Sequence, residues 1–144
     1  MAAEVVDNLL SSIPTGEAIK DPREGDHIGA KLTNPELVEQ SNGHSLKITW
    51  GDLTDSNGRG FEYQERYTIP TSQSDEFIHR LFLSVCHEAG VLPRESKSRI
   101  LADTEADRNT ILQAFQQRIG ETVDLRLTQD AKSGYMRSRF LRKK

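Results

Sequence analysis

Basic side chains in this 144-residue sequence lie where they could neutralise the phosphates of a polynucleotide. Contacts from lysine and arginine to phosphate supply the sequence-independent part of nucleic-acid affinity, and they make that affinity fall as salt rises. Arg59 lies between Gly58 and Gly60, so the backbone of its loop can approach a ligand closely. The candidate cations fall on predicted strands or turns: Lys47, Arg59, Arg66, Arg126, Lys132, Arg137 and Arg139.

Aromatic side chains near these cations provide flat surfaces on which unpaired bases can stack. Each such stack is worth roughly 1–3 kcal/mol and tolerates any base. Trp50 and Tyr135 are the best placed because each lies at the end of a predicted strand, and Phe61, Tyr63 and Tyr67 are further candidates. The competing interpretation is that the aromatic residues sharing the parity of the neighbouring apolar positions fill a core. These residues are Trp50, Phe61, Tyr63 and Tyr67.

Other chemistries are less well supported. The segment 52–58 has the composition of a calcium loop, but aligning its glycine with the required position places Leu53 at the first ligand and Gln64 at the last. Cys86 falls on the apolar stripe of a predicted helix, which favours a buried thiol over a nucleophile. No paired acid and base stands out, and no glycine loop precedes a helix. The sequence therefore predicts no enzyme, no metal site and no cofactor.

Two segments with alternating apolar residues predict a β-hairpin that positions many of these side chains. Ser45–Trp50 and Phe61–Ile69 have period two, which is typical of strands. Residues 51–60 between them are rich in Gly, Asp and Asn, which favour chain reversal. One face of the hairpin is therefore apolar. The other face carries Lys47, Thr49, Gln64, Arg66 and Thr68.

A further strand is predicted before this hairpin. The alternation over 27–33 places Ile28, Ala30 and Leu32 inward, and Gly29 marks a bend or bulge. Asn34–Pro35 interrupts the strand, residues 36–40 continue it, and 41–43 form a tight turn into the hairpin. Three successive antiparallel strands make a meander.

After Pro70 the apolar period changes from two to 3.6, which predicts helices. Ser72 or Ser74 is the predicted N-cap of the first helix, with Asp75 in its first turn, and Gly90 ends it. A second helix is predicted over 104–118, followed by strands over 122–128 and 135–141. The predicted buried face of the first helix is Phe77, Ile78, Leu81, Phe82, Val85, Cys86 and Ala89. That of the second is Ile111, Leu112, Phe115 and Ile119.

The bulk properties favour one small domain in a reducing compartment. A chain of this length buries roughly two-thirds of its unfolded surface when it folds as one domain. The single cysteine excludes an internal disulfide, and no apolar run approaches the roughly 20 residues of a membrane span. Glu4 and Asp7 stand where a signal peptide would carry basic residues. We therefore expect a cytoplasmic protein.

The net charge of −3 conceals a strong asymmetry. Residues 122–144 contain seven basic and two acidic side chains, whereas the rest of the chain contains 12 basic and 20 acidic ones. A basic segment on an acidic body is either a nucleic-acid footprint or a solubilising tail.

The sequence predicts that residues 1–26 form an amphipathic segment and a linker, which precede a domain over 27–144. Val5, Leu9 and Ile13 lie on one face of a predicted helix that is too short to be stable alone. Residues 5–13 must therefore dock on their own domain, on a second copy of the chain or on another protein.

Five short strands with a helical insert between the third and the fourth is the element order of an OB fold, a five-stranded antiparallel barrel whose sheet and loops bind oligonucleotides. With that order, the chain resembles the phage-encoded OB-type single-stranded DNA-binding proteins found among recombination genes. The segments that carry the resemblance are 23–32, 46–50, 57–60, 119–123 and 135–141.

The resemblance implies non-sequence-specific binding of single-stranded DNA in replication or recombination, in the host cytoplasm if the protein is phage-encoded. RNA as the ligand stays open, because the 2′-hydroxyl contact that separates the two depends on geometry. Bacterial single-strand binders commonly end in an acidic tail that recruits partners, whereas residues 139–144 are basic, so the resemblance does not extend to such recruitment. The alternative hypothesis is an assembly subunit that uses the same barrel as a scaffold and binds no nucleic acid.

Overall fold

A computed structural model describes residues 21–41 and 43–141. These residues form a mostly β structure, an open five-stranded antiparallel sheet with two α-helices. The elements are β1 (Gly25–Gln40), β2 (Gly43–Thr54), β3 (Gly60–Thr68), α1 (Glu76–Glu88), α2 (Glu105–Gln116), β4 (Thr122–Gln129) and β5 (Met136–Phe140). The predicted helix over residues 2–13 and the basic residues 142–144 lie outside the described residues.

The strand order is β3-β2-β1-β4-β5, so β1 is the central strand. Its first part, Gly25–Lys31, pairs with β4, and its second part, Lys31–Gln40, pairs with β2. Two irregularities bend it, one between His27 and Ala30 and one between Thr33 and Glu36. The predicted interruption at 34–35 is thus a bulge within one long strand rather than a break.

The first irregularity reverses the predicted orientation of Ile28. Gly29 adopts a φ of 77°, which favours glycine, and its N–H donates to Asp124 Oδ1 at 3.0 Å. An extra residue in one strand shifts its side-chain parity. Ile28 is therefore 73% exposed, whereas Ala30 and Leu32 are buried as predicted.

The hairpin is longer and its turn tighter than predicted. β2 runs on to Thr54, with a bulge after Trp50 at which Asp52 has a φ of 58°. The turn occupies only residues 55–59, where the Asp55 carboxylate accepts from the backbone N–H groups of Asn57 and Arg59 at 2.8 and 2.9 Å.

Helix α1 is capped by Asp75 rather than by Ser72 or Ser74. Asp75 Oδ1 accepts from the Ile78 N–H at 2.9 Å, which satisfies a donor that the helix leaves free. The two serine hydroxyls instead bond within the preceding turn and to Asp103.

Each helix buries a narrower face than the sequence predicts. Phe77 is 72% exposed and Leu81 is 43% exposed, although both belong to the predicted stripe of α1. On α2 only Phe115 is fully buried, and Ile119 lies beyond the helix and is 54% exposed. The buried residues of α1 are His79, Phe82, Val85 and Cys86.

The core lies between the inner face of the sheet and the two helices. Burying one such side chain contributes roughly 1.5–3 kcal/mol to folding. The largest fully buried residues of the core are Trp50, Phe82, Phe115, Leu32, Leu46, Ile48, Leu125 and Leu127.

The two edge strands, β3 and β5, are linked by side chains across a boundary that we call the seam. No main-chain ladder joins these strands within the described part of the chain. Instead, the Tyr63 hydroxyl donates to the Met136 carbonyl at 3.2 Å, and the Ser138 N–H donates to Glu65 Oε1 at 3.3 Å.

The same offset continues along the seam. Tyr67 stacks on Phe140 with ring centroids 6.3 Å apart, so each linked pair is separated by 73 residues. A constant offset means that the two edges run side by side in the same direction. The sheet is open in its main-chain hydrogen bonds, but its two edges are in contact.

Candidate nucleic-acid interface

The outer face of β5 presents basic side chains because alternate residues of a strand point to opposite sides of the sheet. Met136, Ser138 and Phe140 are partly buried, whereas Arg137 and Arg139 are exposed. Tyr135, which precedes the strand with the same parity, is 76% exposed. Together with Lys132 in the β4–β5 turn, these residues form a surface that we call the basic strip: Lys132, Tyr135, Arg137 and Arg139.

The β4–β5 turn holds Tyr135 and Lys132 in place through its backbone. Asp130 Oδ1 accepts from the N–H groups of Lys132 and Ser133, which lowers the pKa of Asp130. The Asp130 N–H in turn donates to the Tyr135 carbonyl at 2.8 Å. Arg137 Nη2 lies 3.7 Å from Asp130 Oδ2, an exposed contact of small energetic value.

The neighbouring strands carry two rows of side chains with the same order of charges. In the first row Asp26 on β1 pairs with Arg126 on β4, and Arg126 lies opposite Arg139 on β5. Arg126 Nε donates to Asp26 Oδ1 at 2.6 Å, which lowers the pKa of Asp26 and raises that of Arg126. Asp26 therefore forms its ion pair with Arg126, the middle residue of the row.

In the second row Glu36 on β1 pairs with Lys47 on β2, and Lys47 lies opposite Arg66 on β3. Lys47 Nζ is 3.3 Å from Glu36 Oε2, and hydrogen bonds from Asn34 and Lys47 lower the pKa of Glu36. Of the predicted cations, Lys47 and Arg126 therefore already have acidic partners.

The cations at the ends of these rows have no acidic partner in the described part of the chain. Arg66 and Arg139 are exposed and form no ion pair within 4 Å in the described ranges, and the same holds for Arg59 and Lys132. Like charges directly opposite each other in a sheet are unfavourable, so the pairs Lys47–Arg66 and Arg126–Arg139 favour an anionic ligand.

Arg59 lies at the same end of the sheet as the basic strip. The β2–β3 turn that carries Arg59 contacts residues 21–24, since the Ser56 N–H donates to the Pro22 carbonyl at 2.9 Å. Glu24 accepts from the N–H of Gln129 at the end of β4 at 2.7 Å. The predicted linker is thus partly packed on the domain, and β1 begins at Gly25 rather than His27.

Two of the predicted stacking residues, Trp50 and Tyr63, face the core. Trp50 is fully buried, and its Nε1–H donates to the Tyr67 hydroxyl at 3.2 Å. Tyr63 is buried and donates to Glu65, and burial raises its pKa above the usual range. Their shared parity with the apolar residues decides this orientation, so neither ring offers a free face to a base in this structure.

A groove of about 410 Å³ lies beside Tyr135, between the start of β3 and the β4–β5 turn. Its lining includes Arg23 and Gln64. Arg23 makes two hydrogen bonds to the Asp21 carboxylate, and this contact lowers the pKa of Asp21 to about 2. Sequence patterns do not identify Arg23 as a site residue, because the composition around it predicts a linker; its only local signal is the acid two positions earlier.

Cys86 is buried on α1, as its place on the apolar stripe predicts. Burial raises the pKa of its thiol to about 12, so the thiolate form is suppressed at neutral pH. Within residues 21–41 and 43–141, no group of three or more His, Cys, Asp or Glu side chains is arranged to hold a metal ion.

None of the helices in the described part of the chain is both long and apolar enough to cross a membrane. Neither a protein-family model nor a curated protein sequence matches this chain.

Proposed function

We propose that this protein binds single-stranded DNA without sequence preference, with the basic strip as the main contact surface. The observation that carries the proposal is the alternation of Tyr135, Arg137 and Arg139 on one exposed face of β5. An aromatic ring followed by cations without strong acidic partners is the combination that unpaired bases and phosphates require.

The spacing of the strip supports an extended ligand. Outward-facing residues of a strand are about 6.6 Å apart, since each residue rises about 3.3 Å. That distance is comparable to the separation of successive phosphates in a stretched single strand, and a duplex would instead require a surface shaped to its grooves. Arg137 and Arg139 can thus contact neighbouring phosphates of one strand.

The topology supports an OB-type barrel as the scaffold. The order β3-β2-β1-β4-β5, with the helices inserted between β3 and β4, brings the two edge strands together at the seam. We propose that the side-chain links across the seam take the place of a closing ladder. OB folds bind oligonucleotides on the sheet and its loops, and here the β4–β5 turn supplies Lys132 and Tyr135.

Binding is expected to depend mainly on charge, because among the predicted stacking residues only Tyr135 is largely exposed in the described structure. A fluorescence-anisotropy titration with a labelled poly-thymidine of about 30 nucleotides, at two salt concentrations and against a duplex control, tests this directly. We expect preference for the single strand and affinity that falls steeply as salt rises.

Charge reversal on the strip tests the surface itself. Arg137→Glu with Arg139→Glu should weaken binding to every oligonucleotide by about tenfold or more and lower the magnitude of the salt slope by about 1.4, two contacts at roughly 0.7 each. Lys97→Glu with Arg118→Glu is the matched control, because it makes the same change of charge at exposed positions outside the sheet. Equal affinities for the two double variants would contradict the proposed surface.

Absence of binding at low salt would remove the nucleic-acid proposal altogether. The assembly subunit would then be the hypothesis to pursue, with the barrel as a scaffold and the basic C-terminal segment as a protein contact or a solubilising end.

A further inference from the structure

A second cavity, of about 360 Å³, lies along the seam next to α1. We call it the seam cleft. Arg66 and Tyr67 of β3 form one wall, Arg139 and Phe140 of β5 form the other, and Leu81 and Ser84 of α1 close one side. Its volume is near the lower end of the range of small-ligand pockets, which suits one nucleotide.

The two arginines of the seam cleft are the end members of the two charged rows. Asp26 forms an ion pair with Arg126, and Glu36 forms one with Lys47. Neither acid therefore pairs with Arg139 or Arg66. Both guanidinium groups are thus available to an anion that enters between the edges. Arginine binds phosphate through a planar fork of N–H donors, which makes it better suited than lysine to this geometry.

The carboxylate that lines the seam cleft, Glu65, already accepts hydrogen bonds from other residues of the protein. It accepts hydrogen bonds from the Tyr63 hydroxyl at 2.9 Å, from the Ser138 N–H at 3.3 Å and from the Ser138 hydroxyl. Its negative charge reduces the field of the two arginines but does not cancel it, since the cleft holds two cations and one anion.

Apart from Ser84 and Ser138, the other side chains that line the seam cleft are aliphatic or aromatic. Leu81 is 43% exposed, and it lines the cleft together with the stacked rings of Tyr67 and Phe140. An exposed leucine beside an aromatic pair and two cations matches a ligand with one flat apolar part and one anionic part.

We infer that the seam cleft binds one nucleotide of the single strand, with its phosphate between Arg66 and Arg139 and its base against Leu81 and Phe140. The inference rests on the proposed function and extends it, because Arg139 belongs both to the basic strip and to the cleft. A strand that follows β5 therefore reaches the cleft without leaving the protein surface.

The only tryptophan of the chain, Trp50, provides a local reporter. Its ring lies 5.9 Å from that of Phe140 in an edge-on contact. A base held against Phe140 should change the emission of Trp50, whereas binding confined to the outer face of β5 should leave it unchanged.

The test combines poly-thymidine affinity, measured by anisotropy, with Trp50 emission. Ser84→Phe fills the cleft from α1 without altering charge, and Ser98→Phe, the same substitution at an exposed position outside the cleft, is its control. Arg66→Gln removes one guanidinium outside the basic strip, and Lys97→Gln is its control. We expect about tenfold weaker binding for Ser84→Phe and Arg66→Gln, loss of the Trp50 response in Ser84→Phe, and wild-type behaviour in both controls.

The outcomes separate the two proposals. If wild-type protein binds the oligonucleotide and both cleft variants bind it equally well with an unchanged Trp50 response, the seam cleft is not part of the site and the basic strip stands alone. If wild-type protein binds no oligonucleotide, the proposed function fails and the inference fails with it.

A labelled peptide of alternating Asp and Leu tests a protein partner instead. If it binds wild-type protein but not Ser84→Phe, while oligonucleotide binding is unaffected, the cleft binds a protein and the nucleotide inference is overturned. Arg66→Gln keeps the test decisive if Ser84→Phe does not fold.

Discussion

Trp50 and Tyr135 show that a position near the end of a strand does not decide whether a side chain is buried. Both lie near strand ends, yet Trp50 is fully buried and Tyr135 is largely exposed. The parity of Trp50 matches that of Leu46 and Ile48, so its ring joins them in the core. Tyr135 precedes a strand whose inward positions are even-numbered, which directs it to the opposite side.

Cys86 provides a residue-scale prediction of pH dependence. Burial raises the pKa of its thiol from 9.0 to about 12, so the folded state holds this proton more tightly than the unfolded state does. The resulting stability is complete below about pH 9 and is lost as the pH rises towards 12. Tyr63 shifts in the same direction, but its effect begins at higher pH.

We therefore expect the free energy of unfolding, measured in urea, to fall as the pH rises from about 9 to 10 in the wild-type protein and to fall less in Cys86→Ala. Parallel pH profiles for the two proteins would show that the thiol does not contribute in this way.

At the scale of elements, the Glu65 carboxylate accepts two of the hydrogen bonds that cross the seam, both from Ser138. Replacing Glu65 with Ala removes the acceptor for the Ser138 N–H and hydroxyl and for one bond of Tyr63. Unpaired polar groups at a partly buried site are costly, so we expect a loss of about 2 kcal/mol in the free energy of unfolding. Urea denaturation measures it, with Glu62→Ala on the outer face of the same strand as the control. A loss no larger than that of the control would mean that these links do not hold the edges together.

The elements themselves were largely predictable, since period two and period 3.6 each identify a type of structure. In the described part of the chain, five strands and two helices occur in the predicted order, and Asn34–Pro35 is indeed irregular. The errors arise where a local choice depends on neighbours. Ile28 is exposed because of a bulge at Gly29, and Asp75 caps α1 because the serines bond elsewhere.

The candidate site was predictable only as a collection of charges. Arg137 and Arg139 follow from composition and alternation, but the neutralisation of Arg126 by Asp26 joins residues 100 positions apart. The linking of Glu65 to Ser138 across 73 positions is equally invisible to periodicity. Distant pairs are decided by the curvature of the sheet, which local sequence patterns do not encode.

At the scale of the whole molecule, the proposed binding surface lies within residues 59–140 and includes none of the N-terminal segment. Deletion of residues 1–13 should therefore leave the affinity for poly-thymidine and its salt slope unchanged. Size-exclusion chromatography and anisotropy on the same sample check this. A changed oligomer or a lost partner complex with an intact fold is what the assembly hypothesis expects instead.

The central position of β1 also affects how the chain must fold. Gly25 is paired with Leu127, about 100 residues away, while the other half of the same strand is paired with its immediate successor. Pairings this distant close large loops and slow folding. During synthesis the first residues of β1 emerge early and find no partner until β4 has left the ribosome. The earliest part of the sheet to be made is therefore among the last to be completed.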